Sequence, residues 1–295
     1  MNIKAYAKIN LTLEITGKIL EGGFHELRTV MHKIPLCDEL EVETFNSPSE
    51  KIHFDCDVQL CEKEQNLAYK AALAYIGAFT QKTNRTFGTK ISLEKHIPSG
   101  AGLGGGSADA AAVLRAMNTL CEDILSENEL MQLAESLGSD VPFCLYPEKC
   151  AFCTGRGEII TPSESLPECF AVISKPSESI STKGIYAEYD RTIKYLPDRG
   201  EKKNSFEAVS LLESGTLLQN PRIFVNDFEK ICIPKCPEIE LFKIIMKKHG
   251  AFASMMTGSG SAVFGLFPDR DGAFEAHAEL KRENAGFIQV YEIKK

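Results

Sequence analysis

The first fifteen residues of the chain alternate between apolar and polar side chains. One face carries only apolar residues, namely Ile3, Ala5, Ala7, Ile9, Leu11, Leu13 and Ile15. The other face carries Tyr6, Lys8, Asn10, Thr12 and Glu14. A period of two over this length predicts a β-strand with one face in the core, and it places Lys8 and Asn10 on the opposite face.

Helical patterns follow in the first half of the chain. Residues 66–80 predict an apolar helix capped by Asn66. In "SENELMQLAESLG", Ser126 and Glu129 predict a capping box at the start of a helix that ends at Gly138. After this helix, Pro142 in "SDVPFCLYP" argues against its continuation.

The predicted elements are mixed in order. Strand-like runs occupy 28–44, 89–95, 169–175, 261–267 and 286–293, and a helix is predicted at 271–283. This order predicts an α+β architecture. The stretch "TGRGEIITPSESLPE" is rich in Gly, Pro, Ser and Glu, so we expect two domains, 1–160 and 161–295.

The composition is ordinary for a globular enzyme, with 43% hydrophobic and 25% charged residues among 295. A net charge of −8 provides no basic field, so we expect no nucleic-acid partner and no membrane partner. The chain has no apolar run of the roughly 18 residues that a membrane span needs, and no apolar signal core. We therefore expect a cytoplasmic location, and no obligate protein partner is evident.

Ten cysteines raise the question of a metal. The tightest spacings are Cys150-x-x-Cys153 and Cys232-x3-Cys236, and no histidine pair lies near either of them. Buried free thiols are therefore favoured over structural zinc, and no residue is assigned as a metal ligand.

A glycine-rich loop leads directly into an alanine-rich helix in "HIPSGAGLGGGSADAAAVL", residues 96–114. Gly100, Gly102 and Gly105 fit the dinucleotide pattern G-x-G-x-x-G, but the following stretch is helical where that fold requires a second strand. A P-loop would need a lysine after the glycines, and a protein-kinase loop would need H-R-D and D-F-G, which do not occur. A flexible linker rarely leads straight into an apolar helix.

The remaining interpretation is a set of bare backbone amides at a helix N-terminus, which is a ready anion site. Ser107 would then cap the helix or donate its hydroxyl to phosphate. Asp109 lies early in the helix, where a charge that is favourable to the helix dipole is favoured over a metal ligand.

At this point the motifs resemble a known family. "PSGAGLGGGSADAA" resembles the central nucleotide-binding motif of the GHMP kinases, and "AKINLTLEI" and "MTGSGSAVFGLF" resemble the motifs near the two ends of those chains. The resemblance implies a two-domain fold, with an N-terminal nucleotide-binding domain and a C-terminal α/β domain built on an antiparallel sheet. It also implies ATP as phosphoryl donor, and Mg²⁺ as the partner of ATP.

Shorter runs are similar to one branch of these kinases. "AKINL", "GFHEL", "LGSDVPF" and "VNDFE" resemble the enzymes of the non-mevalonate isoprenoid pathway that phosphorylate the 2-hydroxyl of a cytidine-diphosphate methylerythritol. The catalytic pair of that branch corresponds to Lys8 and Asp140. Asp140 would accept the hydroxyl proton, and Lys8 would orient the hydroxyl and offset negative charge. From the sequence alone, Asp140 could equally be a turn former.

The resemblance also implies the binding residues. His25 would hydrogen-bond cytosine between the rings of Phe24 and Tyr186, and Asn10 and Thr182 would contact the substrate. Nucleotide-binding residues would be Asn66, Lys95, Pro98, Ser99, Gly100, Ala101, Gly102, Leu103, Gly104, Gly105, Gly106, Ser107 and Ala108. Phe24 stands where relatives often have tyrosine, so stacking is kept while a hydrogen bond from that hydroxyl is lost.

Two other functions stay open at this point. One is another GHMP kinase, acting on mevalonate, homoserine or a sugar, against which the "GFH" run and Tyr186 argue. The other is a non-catalytic binding protein with this fold, against which the presence of Lys8 and Asp140 argues.

Overall fold

The computed structural model describes residues 1–18, 25–49, 51–178, 180, 182–193, 203–283 and 285–294. These residues form two compact units. The first unit comprises Met1–Ala7, Leu36–Ser99 and Gly104–Pro147, and the second comprises Lys8–Pro35, Gly100–Leu103 and Glu148–Lys295. Neither unit is continuous in sequence, and the domain boundary expected after residue 160 stays a prediction.

Strands and helices alternate irregularly along the described chain, as the sequence predicted. The strands are β1 (Asn2–Lys18), β2 (His25–Phe45), β3 (Lys51–Cys56), β4 (Gly88–Glu94), β5 (Cys150–Thr154), β6 (Ile159–Pro162), β7 (Cys169–Lys175), β8 (Val225–Asn226), β9 (Ala253–Met256), β10 (Val263–Phe267) and β11 (Phe287–Ile293). The helices are α1 (Leu67–Thr83), α2 (Gly105–Leu120), α3 (Glu127–Leu137), α4 (Val141–Leu145), α5 (Thr182–Ile193), α6 (Asn204–Glu213), α7 (Glu229–Cys232), α8 (Glu238–Lys248) and α9 (Arg270–Arg282). The α+β class is thereby confirmed.

The first unit packs α1 to α4 beside a stretch of sheet in the order β3-β4-β2-β1, to which β1 contributes its residues before Lys8. Residues 39–45 of β2 pair antiparallel with β4, and β3 pairs parallel with β4. The core between these layers contains Tyr75, Ile91 and Leu114 with many alanines of α1 and α2. Alanine side chains are small, so the two helices can lie close together along their length.

The helix caps that the sequence predicted in this unit are observed. The Asn66 side chain accepts a hydrogen bond from the Ala68 amide at the start of α1. Ser126 and Glu129 form both bonds of the capping box, and Gly138 caps the C-terminus of α3. Pro142 lies in the first turn of the short helix α4, where its missing amide proton costs no hydrogen bond.

The second unit contains an antiparallel sheet in the order β11-β7-β10-β9, as predicted for the C-terminal half. Its register places Val263 of β10 opposite Ser174 of β7 and Met256 of β9. Within the same unit β5 pairs with residues 29–32 of β2, and β8 pairs parallel with β1 at Thr12 and Leu13. Helices α8 and α9 contribute buried Phe242, Ala273 and other apolar residues to its core.

Candidate active site

The glycine-rich loop has the left-handed backbone that its sequence suggested. Gly100, Gly102 and Gly104 have φ values of 60°, 76° and 72°, a region that L side chains rarely adopt. Helix α2 begins at Gly105 with Gly104 as its N-cap, and no side chain caps it. Ser107 is already the third residue of the helix, so its prediction as the cap is wrong. The result is a helix N-terminus whose cap residue has no side chain to accept a hydrogen bond from the first amides.

Side chains on this loop point away from the bare backbone. Ala101 and Leu103 are buried in the second unit, and Ala108 is buried in the first. Pro98 is half-buried, whereas Ser99, Gly100 and Gly106 are exposed. The loop is therefore anchored by its apolar residues and presents glycine backbone at the surface.

Lys95 lies beside the start of α2 within the first unit. Its Nζ is 3.5 Å from the position that a Cβ on Gly105 would occupy. The ammonium donates to Asp38 Oδ2 and, over 2.6 Å, to Asp109 Oδ2. Asp38 Oδ1 also accepts the backbone amides of His96 and Ile97 at 2.6 and 2.7 Å. One buried carboxylate thus holds both the lysine and the backbone that leads into the loop.

The charges in this cluster shift one another's pKa values. Burial alone would lower the pKa of Lys95, but Asp109 and Asp38 together raise it above its ordinary value. Burial raises the pKa of Asp109 to about 7, against the opposing effect of Lys95. Asp109 Oδ1 is a buried oxygen with no hydrogen-bond partner in the described structure, which suits a carboxyl that carries a proton.

Sequence reasoning missed Asp38 and misread Asp109. Asp109 is 2% exposed and belongs to an ion cluster, so its interpretation as a charge that mainly favours the helix dipole is wrong. The buried position of Asp38 could have been inferred from the sequence. Asp38 interrupts the apolar stripe of Leu36, Leu40 and Val42, so a charge on the core face of β2 required a buried partner.

From Lys8 to Glu14 the polar face of β1 is buried as well, contrary to the expectation of a strand with one buried face, whereas Tyr6 on the same face is 44% exposed. Lys8, Asn10, Thr12 and Glu14 are between 0% and 3% exposed. Their polar atoms are satisfied inside the second unit. Thr12 Oγ1, for example, accepts the Val30 amide, and Glu14 Oε2 accepts the Ser205 amide. Alternation in the sequence shows that two faces differ, but it does not show what covers the polar one.

Lys8 is held in a network of hydrogen bonds. Its Nζ donates to Asn10 Oδ1 over 2.8 Å, and Asn10 Nδ2 donates to Thr29 Oγ1 over 2.8 Å. The Lys8 backbone amide donates to the Leu103 carbonyl over 2.9 Å. The structure thus brings together two predicted residues of β1 and the glycine-rich loop in one bonded assembly.

A second glycine-rich turn lies against the first within the second unit. It spans residues 256–261, and Thr257 Oγ1 accepts the Asn10 amide over 3.0 Å. Asn226 Nδ2 donates to the carbonyls of Met256 and Gly258, both at 2.8 Å. The sequence had given no role to Thr257 or Asn226.

Asp140 is the N-cap residue of α4, but its side chain does not cap that helix. Its backbone is in the right-handed helical region, with φ −89° and ψ −12°, and the residue is half-buried. A turn former would use its carboxylate on the following amides. Asp140 belongs to the first unit and Lys8 to the second.

Of the residues predicted to bind cytosine, Tyr186 lies next to His25. The Nε2 of His25 bonds to Asp190 Oδ1 at 2.7 Å, and its ring centroid is 5.1 Å from that of Tyr186 at an interplanar angle of 33°. Tyr186 also packs edge-on against Phe228, with ring centroids 4.8 Å apart. Thr182 begins α5, one turn before Tyr186. Phe24 lies outside the described residues.

Within the described residues no cluster of three or more His, Cys, Asp or Glu side chains could hold a metal ion. All ten cysteines are free. No helix of the described chain is long and apolar enough to cross a membrane.

Comparison with known proteins gives the family. The model of the GHMP kinases N terminal domain matches residues 66–148, and that of the GHMP kinases C terminal domain matches residues 208–286. A 4-diphosphocytidyl-2-C-methyl-D-erythritol kinase of Desulfotalea psychrophila is 41% identical over 90% of this chain and 85% of its own length. The chain belongs to the 4-diphosphocytidyl-2-C-methyl-D-erythritol kinase family.

Other members of this kinase family are similar to this chain over nearly its whole length. That of Caldicellulosiruptor saccharolyticus is 37% identical over 95% of this chain and 93% of its own. A crystal structure of 4-(cytidine 5'-diphospho)-2C-methyl-D-erythritol kinase matches all of both chains with a TM-score of 0.78 and 33% identity. Homoserine kinase from Cytophaga hutchinsonii has a TM-score of 0.74 at 18% identity, a likeness of fold alone.

Proposed function

We propose that the protein transfers the terminal phosphoryl group of ATP to the 2-hydroxyl of 4-diphosphocytidyl-2-C-methyl-D-erythritol. The observation that carries this proposal is the bonded assembly of Lys8, Asn10 and the Leu103 carbonyl. In it the Lys8 backbone amide bonds to the glycine-rich loop, while the buried Lys8 ammonium is held by Asn10. The names of the relatives support the choice of substrate.

The residues around the glycine-rich loop fit a nucleotide phosphate chain. The start of α2 has no side-chain cap, the glycines before it have positive φ, and the Lys95 ammonium lies beside Gly105. Amides and an ammonium at a helix N-terminus attract anions without a basic surface, which agrees with the net charge of −8. ATP supplies the phosphoryl group, and Mg²⁺ would be held largely by its phosphate oxygens.

Lys8 and Asp140 carry the chemistry in this proposal. The Asn10 amide oxygen fixes the direction of the Lys8 ammonium, which orients the substrate hydroxyl and offsets negative charge. Asp140 accepts the proton of that hydroxyl as its oxygen bonds to the terminal phosphorus of ATP, while the bond from that phosphorus to the bridging oxygen breaks and ADP leaves. Its carboxylate is not used to cap α4, which suits a catalytic group better than a turn former.

The cytosine would stack against Tyr186, with Phe24 on its other face and His25 at its polar edge. The contact between His25 and Tyr186 and the bond from His25 to Asp190 support a fixed imidazole next to an aromatic platform. Thr182 and Asn10 would contact the remainder of the substrate, and Asn66 would lie near the nucleotide base.

The deciding experiment measures ADP release with three alcohols side by side, namely the cytidine-diphosphate methylerythritol, mevalonate and homoserine. We expect turnover with the first alone. Turnover with mevalonate or homoserine would identify another GHMP kinase. Binding of the cytidine compound without ADP release, measured by calorimetry, would identify a non-catalytic binding protein.

A further inference from the structure

Thr257 connects the network around Lys8 to the glycine-rich loop. It is 0% exposed and lies in the second glycine-rich turn, at the end of β9. Its hydroxyl accepts the Asn10 backbone amide over 3.0 Å and donates to Asn10 Oδ1 over 3.3 Å. Asn10 Oδ1 is the same oxygen that accepts the Lys8 ammonium.

The donors and acceptors in this network allow one arrangement of the Asn10 amide. An ammonium can only donate, so the atom that faces Lys8 is the oxygen. The nitrogen then faces Thr29 Oγ1, whose own proton goes to the Thr12 carbonyl. The Thr257 hydroxyl bonds to Asn10 twice, once to its backbone amide and once to its side-chain oxygen.

Thr257 also meets the loop through its backbone. Its carbonyl oxygen lies 2.2 Å from the position that a Cβ on Gly102 would occupy. The two backbone segments therefore touch with no side chain between them. Next to this contact, the Ala262 amide donates to the Ala101 carbonyl over 3.1 Å. Thr257 therefore contacts the loop through its backbone and Asn10 through its hydroxyl.

We propose that Thr257 is a positioning residue for phosphoryl transfer, whose hydroxyl holds the Lys8 ammonium in place through Asn10. This inference rests on the proposed function, in which Lys8 acts on the substrate hydroxyl. Small errors in the placement of a reacting group cost large factors in rate. Thr257 would thus act on the rate of transfer and leave the affinities for ATP and substrate little changed.

The test is Thr257→Val, which keeps the shape and removes the hydroxyl. We expect kcat to fall by about 10- to 100-fold, with both KM values within about threefold of the wild type. Thr257→Ser restores the hydroxyl and should recover most of the turnover. The matched control is Thr89→Val, since Thr89 is also a fully buried threonine, and its hydroxyl donates to the Glu43 carbonyl over 2.8 Å, outside this network. It should lower Tm comparably and leave kcat close to the wild type.

A double variant shows whether Thr257 acts through Lys8. In a Lys8→Met background, Thr257→Val should cost little further turnover. Three results would overturn the proposal: wild-type kcat in folded Thr257→Val, an equal further loss in the Lys8→Met background, or a change in the KM for ATP alone. Thr257→Ala provides a second variant if Thr257→Val does not fold.

Failure of the proposed function would look different. A wild-type protein that releases no ADP with the cytidine substrate would refute the proposed function, whereas a Lys8→Met variant with normal turnover would refute only the role of Lys8, on which the proposal for Thr257 depends.

Discussion

A Cβ atom on Gly102 would stand 2.2 Å from the carbonyl oxygen of Thr257. The φ of Gly102 is 76°, so a side chain there would be both strained and obstructed by backbone. The two glycine-rich segments can lie in contact here because neither Gly102 nor Gly258 has a Cβ, and a Cβ on Gly258 would stand 2.7 Å from the Gly102 carbonyl oxygen.

Gly102→Ala should therefore displace the loop and weaken ATP binding severely. Calorimetric titration with ATP, together with thermal unfolding, measures this effect. Gly77→Ala is the control, because Gly77 lies within α1 and a Cβ there meets nothing within 4 Å. It should leave ATP affinity unchanged and match or raise Tm. Normal ATP affinity in folded Gly102→Ala would contradict the assignment of the loop to phosphate binding.

Tyr186 offers a test of the cytosine site. Tyr186→Ala should weaken substrate binding by about 1–3 kcal/mol, the usual scale for the stacking of a base on an aromatic ring. Tyr186→Phe keeps the ring and should be mild. Steady-state kinetics would then show a raised KM for the cytidine substrate and an unchanged KM for ATP. If Tyr186→Ala bound the substrate normally, cytosine would have to lie elsewhere.

Asp109 should make the free energy of unfolding depend on pH in the direction opposite to that of a carboxyl whose pKa is lowered by folding. The pKa of Asp109 is raised to about 7 in the folded chain, against 3.8 for the ordinary carboxyl. Between these values the folded state keeps a proton that the unfolded state has lost. The free energy of unfolding should therefore be largest below pH 4 with respect to this group, and should decrease as the pH rises to about 7.

Asp109→Asn should remove that decrease. Tm measured from pH 4 to pH 8 should fall less in the variant than in the wild type. Glu135→Gln, an exposed carboxylate on α3, makes the same change of charge and should leave the wild-type profile in place. Parallel profiles for Asp109→Asn and the wild type would show that Asp109 is ionised throughout this range.

Much of the fold could be predicted because its signals are local. The alternation in β1, the Asn66 cap and the Ser126–Glu129 capping box depend on residues close in sequence, and each is observed. Strand β7 runs from Cys169 to Lys175, as predicted.

The candidate site was less predictable because its contacts join distant residues. Asp38 meets Lys95 across 57 positions, and Asn10 meets Thr257 across 247. A single sequence shows that Asp38 interrupts an apolar stripe, but it does not name the partner. Thr257 lies in the motif "MTGSGSAVFGLF", but the motif does not show that its hydroxyl bonds to Asn10.

The assignment of catalysis depends on Asp140 and Lys8. Asp140→Asn keeps the size of the side chain and removes its charge, so turnover should fall about 10²-fold or more, the scale of general-base catalysis. Lys8→Met should also reduce turnover, because the Asn10 oxygen would then face no ammonium. The two losses should be less than additive, since in the proposed function both groups act on one hydroxyl.

Binding should survive these changes far better than turnover, because the glycine-rich loop and Tyr186 do not depend on either side chain. Asp271→Asn, an exposed aspartate in the first turn of α9, is the matched control and should keep normal turnover. Coupled ADP release and thermal unfolding measured side by side separate the alternatives. A structural Asp140 would give a lower Tm with near-normal turnover in the protein that remained folded, and that result would refute its role as the proton acceptor.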